Sequence, residues 1–343
     1  MSKCTLKNGK IIGDFKKPYF VAEMNSSHNG KIELAKEMID RAIDAGCDAV
    51  KFQSWTANSL YSKNYYRENP IAYRMVSRFA LSKNQLKELS VYCKERKIDF
   101  SSTPYSKEEL DFLVDECEAP FVKVASMDIN NLKFLEQMAK KQVAIILSTG
   151  MASMDEIKKA VDTIQMAGNS NICLLHCVSI YPVDESQVNL NNMREIRHEF
   201  EDIPVGYSDH TIGNIASVCA VANGAALIEK HFTLDSKKIG WDNQMACEPN
   251  IFKEMIQLCN KAYGTMGNAS RKVSQEEIEQ AKKMRRSIVA GRDIPEGTVI
   301  EEEMLEAKRP YIGISPDKMN ILVGKKAKRD IEMDEIIFLT DVE

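Results

Sequence analysis

Eight apolar runs of strand length alternate with stretches of helical periodicity between residues 19 and 231, and a shorter segment of different texture follows. That alternation predicts an α/β fold, a (β/α)8 barrel followed by a small, mostly β domain. Two further observations support closure into a barrel. The runs are apolar throughout, as expected of parallel strands covered on both faces. Five of them end in residues able to do chemistry: Glu23; Lys51 and Gln53; Lys123 and Ser126; His210; His231. Strand ends of a parallel barrel converge on one mouth, so these side chains are expected to share a pocket.

The elements follow in order. The first strand, 19–23, leads into the polar turn 24–30. Leu34, Ala35, Met38, Ile39, Ala42 and Ile43 then recur at helical spacing, and Gly46 closes that helix. The second strand is 48–53. A long insertion, 54–80, carries Trp55, Tyr61, Tyr65, Tyr66 and Tyr73. Loops of that length at the C-terminal mouth are usually functional. Helix 83–96 and strand 98–102 lead to the turn at Thr103 and Pro104. Helix 107–117, strand 121–125, helix 132–140, strand 143–148, helix 154–167 and strand 172–177 continue the pattern. Helix 192–199, strand 205–207, helix 215–222 and strand 226–231 complete the count of eight. A helix over 250–265 covers the last strand, and the polar stretch 267–277 reads as a linker. Short strands at 287–290, 298–300 and 336–339, broken by a turn at 295–297, predict the second domain. The expected boundary divides 1–280 from 281–343.

Bulk composition narrows the function. Of 343 residues, 44% are apolar and 28% charged, and the net charge is −4. A nucleic-acid or anionic-membrane partner would call for a basic excess, so neither is expected. No apolar stretch reaches the roughly 20 residues of a membrane helix, and the first residues show no signal-peptide core. A cytoplasmic location is the expectation. The nine cysteines form no Cys-x-x-Cys pair and read as reduced core thiols.

Three constellations carry chemistry. His210 and His231 end neighbouring strands, with Glu23 on the next strand round the ring. Nitrogen and oxygen donors of this kind suit Mn, Fe, Co or Zn; the alternative is a hydrogen-bonded pair of rim histidines. Lys51, Lys123 and Lys230 all fall in apolar runs, where an unpaired ammonium is costly. An anionic substrate held by point charges explains them, and Ser102, Thr103, Ser126, Ser148 and Ser208 supply hydroxyls suited to a phosphoryl group. A Schiff-base lysine or outward-facing lysines paired with helix carboxylates are the other readings. Asp209 either orients His210 or caps the next helix, and Tyr181 either addresses a sugar hydroxyl or packs.

The motifs Glu23–Gly30, Val50–Gln53, Ser102–Pro104, Lys123–Ser126 with Asn130 and Asn131, Leu147–Met151, Leu175–Cys177 with Tyr181 and Pro182, Tyr207–Thr211, Glu229–Thr233 and Lys308–Pro310 resemble the sialic acid synthases, in order and across both domains. The resemblance implies condensation of phosphoenolpyruvate with a 2-acetamido-mannose-type aldehyde, giving a nine-carbon 2-keto acid and phosphate. It implies a TIM barrel followed by an antifreeze-like (SAF) domain, in a homodimer whose SAF domains cover each other's sites. By the same resemblance His210 and His231 would bind a divalent metal, commonly Mn2+, with Mg2+ or Co2+ as alternatives. Lys51, Thr103, Lys123, Ser126, Ser148 and Ser208 would hold phosphoenolpyruvate. Gln53, Tyr181, Asp242 and Glu23 would address the sugar or a water, with Glu23 or Asp128 as base, and Arg309 would reach the sugar's acyl group across the dimer. The chain departs from the family's usual residues at Asp128, Ser179, Trp241 and Tyr311. These departures surround the sugar, so N-acetylmannosamine, its 6-phosphate and the 2,4-diacetamido-trideoxy hexoses of legionaminic and pseudaminic acid synthesis all remain open.

Overall fold

The computed structural model describes every residue except Met1, Ile239 and Asn268. The chain forms two compact units, residues 1–267 and 268–343. The sequence-based boundary at 280/281 falls inside a helix, Gln275–Met284, which belongs to the second unit.

The first unit opens with an antiparallel hairpin, β1 (Lys3–Thr5) and β2 (Ile11–Gly13). Eight parallel strands follow: β3 (Tyr19–Glu23), β4 (Ala49–Gln53), β5 (Asp99–Thr103), β6 (Phe121–Val124), β7 (Ala144–Ser148), β8 (Ile172–Cys177), β9 (Val205–Asp209) and β10 (Leu227–His231). Their order is β5-β4-β3-β10-β9-β8-β7-β6. The ring closes between β5 and β6, where the Ser101 hydroxyl donates to the Phe121 carbonyl at 2.8 Å. This is the predicted barrel.

Among the described residues eleven α-helices lie between or after these strands: α1 (Ile32–Ala45), α2 (Ala57–Leu60), α3 (Lys63–Glu68), α4 (Pro70–Phe79), α5 (Lys83–Arg96), α6 (Lys107–Asp111), α7 (Leu132–Lys140), α8 (Met154–Met166), α9 (Asn192–Glu199), α10 (Ile215–Ala222) and α11 (Pro249–Met266). Gly46, at φ 92°, takes the left-handed conformation that ends α1. The helix expected over 107–117 is α6 passing into a π-helical turn, Phe112–Glu116. The long insertion after β4 is itself three helices, α2 to α4.

Strand side chains alternate between two environments. Phe20, Ala22, Val50, Phe52, Val122, Ile145 and Ile228 pack outward against helix residues such as Met38, Leu89 and Ile164. Tyr19, Val21, Ala49, Phe121, Ile146 and Leu175 point inward and meet Cys4, Leu6 and Ile12 of the hairpin. The hairpin therefore plugs the N-terminal end of the barrel. Its edges are tied down: Thr5 N–H donates to Asn171 Oδ1 at 2.7 Å, Lys7 N–H to the Pro120 carbonyl at 3.0 Å, and Asp14 Oδ1 accepts from Val205 N–H at 2.9 Å. With the floor filled, the open mouth is at the strands' C-terminal ends.

In the second unit α12 (Gln275–Met284) occupies part of the stretch expected to be a linker, and the Ser274 hydroxyl caps it by accepting from Glu277 N–H at 3.1 Å. An antiparallel pair follows, β11 (Ser287–Ala290) and β12 (Leu305–Lys308). The strands expected at 298–300 and 336–339 are single bridges, Val299 to Lys326 and Val289 to Ile336. Ile288, Ile294, Ile300, Leu322, Ile331 and Ile337 form this unit's own core.

Candidate active site

A cavity of about 450 Å3 opens at the C-terminal mouth of the barrel. Glu23, Lys51, Gln53, Thr103, Lys123, Ser126, Ser148, Tyr181, Ser208, His210, His231 and Asp242, all expected at the site, line it together. The register explains the convergence. His231 and Lys51 both pair with Glu23, and Gln53 with Thr103, so inward positions on four adjacent strands stand level.

The base of the cavity is an ion-pair network. Lys51 pairs with Glu23, lies 3.6 Å from Glu229 Oε2 and donates to Thr103 Oγ1 at 3.2 Å. Lys123 donates to Ser148 Oγ at 2.5 Å and to the Val124 carbonyl at 2.9 Å, with Glu229 Oε1 at 3.9 Å. Ser208 donates to Glu229 Oε1 at 3.0 Å. Burial and charge compete at each group. Burial works against ionising Glu229, but Lys123 and Lys51 outweigh it and hold its carboxyl below the usual range. At Glu23 burial wins over Lys51 and pushes the carboxyl up. At Lys51 burial is outweighed by Glu229 and Glu23, which hold the ammonium above its ordinary value. At Lys123 burial dominates and pulls the amine down.

Beside this network stand the two histidines, with ring centroids 5.4 Å apart. His210 Nδ1–H donates to the Val178 carbonyl at 2.7 Å; burial works against charging this imidazole, but Cys177 and the Val178 carbonyl outweigh it and hold it above its ordinary value. His231 is buried and its Nδ1 has no hydrogen-bond partner among the described residues, with Asp242 Oδ2 3.5 Å away. Burial, and then His210, pull His231 well below the ordinary imidazole range, so it is neutral. Tyr181 lies over His210 at 4.3 Å between ring centroids. Among the described residues no three His, Cys, Asp or Glu side chains form a metal cluster. The pair offers two imidazole nitrogens, each with its position fixed by burial.

Gly150 shapes the wall next to these groups. A Cβ there would meet Ser179 Oγ at 2.3 Å and Ser126 Oγ at 2.8 Å, and its N–H donates to Ser126 Oγ at 3.1 Å. Only glycine lets the backbone approach that hydroxyl so closely.

Three expectations change. Asp128 is not among the lining residues; burial pushes its carboxyl up, and its Oδ2 has no hydrogen-bond partner among the described residues. Of the two proposed bases, only Glu23 faces the cavity. Lys230 points outward, donating to Asp209 Oδ2 at 2.7 Å and to the Thr211 carbonyl at 2.8 Å. Asp209 is consumed by that pair and by Ser217 and Thr211, so it does not orient His210; the Val178 carbonyl does. Arg309 is an exposed residue of the second unit. The sequence reading also missed the lining residues Glu229, Cys177 and Tyr105, whereas Trp55 of the long insertion and Trp241 among the sugar-side departures do line the cavity. Strand parity signals the first two, since Glu229 is two residues before His231 and Cys177 ends β8 on its inward side.

Comparisons with known proteins place the chain in a family. The model of the NeuB family matches residues 38–271, and that of the SAF domain matches residues 285–343. The N,N'-diacetyllegionaminic acid synthase of Campylobacter jejuni is 38% identical over 333 residues, covering 94% of this chain and 99% of that protein. The N-acetylneuraminate-9-phosphate synthase of Homo sapiens is 33% identical over 346 residues, covering 96% and 94%. The solved N-acetylneuraminic acid (sialic acid) synthetase of Leptospira borgpetersenii, in complex with citrate, superposes with a TM-score of 0.75 at 32% identity, covering 81% of this chain and 95% of that one. No helix among the described residues is long and apolar enough to cross a membrane. The likeness runs nearly end to end at over 30% identity, and the chain belongs to the NeuB family of sugar-acid synthases.

Proposed function

We propose that the protein condenses phosphoenolpyruvate with an N-acetylmannosamine-type aldehyde to give a nine-carbon 2-keto sugar acid and phosphate. The observation that carries this reading is the base of the cavity. Two buried ammonium groups and four hydroxyls, from Thr103, Ser126, Ser148 and Ser208, meet beside two imidazoles. That arrangement suits a substrate bearing both phosphate and carboxylate.

Charge favours a metal at the histidines. The two base lysines are offset by Glu23 and Glu229, so an anionic substrate calls for further positive charge. Neutral His231, with an unpartnered nitrogen, and His210, oriented through Nδ1, fit a divalent ion with two protein ligands, Mn2+ by family resemblance. Such an ion would act as a Lewis acid on the aldehyde carbonyl. The chain's own groups do the rest. Lys51, Lys123 and the hydroxyls fix the carboxylate and phosphate, so that C3 of phosphoenolpyruvate faces the aldehyde carbon. As the C3–C bond forms, C2 becomes cationic, and the Glu23 and Glu229 carboxylates beside it favour that charge. The Glu23 carboxylate, made more basic by burial and bonded by Asn25 N–H at 2.8 Å and Gln53 Nε2 at 3.2 Å, takes a proton from the water that attacks C2. The resulting intermediate expels phosphate by C–O cleavage. By resemblance, Arg309 addresses the sugar's acyl group from the other chain of a homodimer.

Incubation with Mn2+, phosphoenolpyruvate and each candidate sugar tests the reading: phosphate release must depend on both sugar and metal, and release that persists in chelator without sugar would sink it. A second reading, a metal-free Schiff-base aldolase, draws on the lowered Lys123 amine. Borohydride with pyruvate would trap a covalent adduct only in that case.

A further inference from the structure

The Glu23 carboxylate stands at the end of a chain of hydrogen bonds that starts outside the site. Three members of that chain line the cavity: Glu23, Gln53 and Tyr105. Strand register brings them together. Gln53 ends β4 and pairs with Thr103, which ends β5, and Tyr105 follows Thr103 after one proline. Tyr105 Oη–H donates to Gln53 Oε1 at 2.8 Å. Gln53 Nε2–H donates in turn to Glu23 Oε1 at 3.2 Å, the same oxygen that accepts from Asn25 N–H at 2.8 Å. Glu23 Oε2 is left facing the Lys51 ammonium.

The outer end of the chain is anchored by a buried acid. Glu109, in α6, is 5% exposed. Its Oε2 accepts from Tyr105 N–H at 2.7 Å, and its Oε1 accepts from the Ser59 hydroxyl of α2 at 2.6 Å. A carboxylate taken out of water is costly unless it is bonded, and here both its oxygens tie the loop after β5 to the insertion after β4. The Tyr105 ring also packs edge-on against Trp55, with centroids 6.2 Å apart. Backbone and ring are thus both held, and the phenol has one direction in which to point.

That direction matters because an amide has a donor end and an acceptor end. With its nitrogen toward Glu23, Gln53 donates to the carboxylate. With the amide turned over, Gln53 Oε1 and Glu23 Oε1 would be two acceptors face to face, and the carboxylate would swing away. The Tyr105 hydroxyl selects the first arrangement by donating to Gln53 Oε1. It keeps its hydrogen, because burial, and then Glu23, raise the phenol well above its ordinary range. A phenylalanine at this position would keep the ring packing and leave the amide free to turn.

We propose that Tyr105 is a positioning residue for the condensation: its hydroxyl fixes the Gln53 amide with the nitrogen toward Glu23, and so holds the Glu23 carboxylate in one orientation for the water that attacks C2. This rests on the condensation reading above and adds to it a residue that acts through another side chain. Tyr105 serves the water step and leaves the anchoring of phosphoenolpyruvate to the lysines and strand-end hydroxyls. Removing its hydroxyl therefore slows turnover without loosening that substrate.

The test is steady-state phosphate release from phosphoenolpyruvate and Mn2+, with whichever of N-acetylmannosamine, its 6-phosphate and 2,4-diacetamido-2,4,6-trideoxymannose turns over fastest. Tyr105→Phe, at wild-type melting temperature, should lower kcat about tenfold and leave the KM for phosphoenolpyruvate within about twofold. Gln53→Leu should lower kcat at least as far. The double variant should be no slower than Gln53→Leu alone, because the phenol acts only through the amide. A wild-type kcat for Tyr105→Phe overturns the proposal and leaves the condensation standing. So do losses that multiply in the double variant, which would give Tyr105 a role of its own, and a raised KM for phosphoenolpyruvate in Tyr105→Phe, which would make the phenol part of the anion site. Wild-type protein that releases no phosphate with any of the three sugars overturns the condensation, and the proposal with it.

Discussion

At the scale of single residues, parity along the strand decides role. In β10, Glu229 and His231 face the cavity and Lys230 between them faces the helices. Lys51 and Lys123 face inward, so each is expected to hold substrate. Lys51→Ala and Lys123→Ala each remove a charge-assisted contact in a water-poor site, worth about 1.5–3 kcal/mol. A fall of at least about tenfold in kcat/KM should follow for each, and unchanged kinetics for both would take them out of the clamp. Lys230 does a different job. Lys230→Met strands the Asp209 carboxylate in the interior, and breaking a buried pair in this way costs about 3–5 kcal/mol. Urea denaturation should show that loss, and a midpoint equal to wild type would mean that Asp209 finds other compensation. The strand-end histidines, lysines and hydroxyls were legible in the sequence because each is a polar residue in an apolar run. Lys230 looked the same as Lys51 by that criterion. Only the inward register, which the sequence does not display until one strand is anchored, tells them apart.

Among elements, those with strong periodicity were legible and those defined by tertiary contact were not. All eight barrel strands were read in place, since each is a short apolar run bounded by turns. The β1–β2 hairpin was not, because three-residue strands carry no periodic signal, and what makes them strands is the barrel floor they fill. Helix α12 was missed although Ser274 and Glu277 supply an N-terminal capping pattern, because its surroundings are uniformly polar. The loop after β7 shows how an element's backbone serves the site. Gly150 brings its N–H to Ser126 while leaving no room for a methyl group. Gly150→Ala is therefore expected to displace Ser126 and Ser179 and to raise the KM for phosphoenolpyruvate by about tenfold, the magnitude of one lost anion contact. Wild-type KM in that variant would show that the loop shifts without disturbing the hydroxyl.

For the whole molecule, the question is what the second unit contributes. It has its own core and its own capped helix, and it carries Arg309, which family resemblance assigns to the sugar of a neighbouring chain. If the assignment holds, His231→Ala and Arg309→Ala proteins, each inactive alone, should recover activity when mixed. A barrel with intact His231 would then receive its arginine from the other chain. No recovery, after subunit exchange is confirmed by mass, would mean that each chain serves its own barrel.

The central claim is that C2 of phosphoenolpyruvate, not its phosphorus, is attacked while C3 joins the aldehyde. Phosphoenolpyruvate labelled with oxygen-18 at the bridging position reports this directly. With Mn2+ and an N-acylated aldehyde, the released phosphate should carry the label, one phosphate per sugar consumed, because the C–O bond breaks. Label retained in the keto acid, or phosphate formed without sugar consumption, would contradict the account.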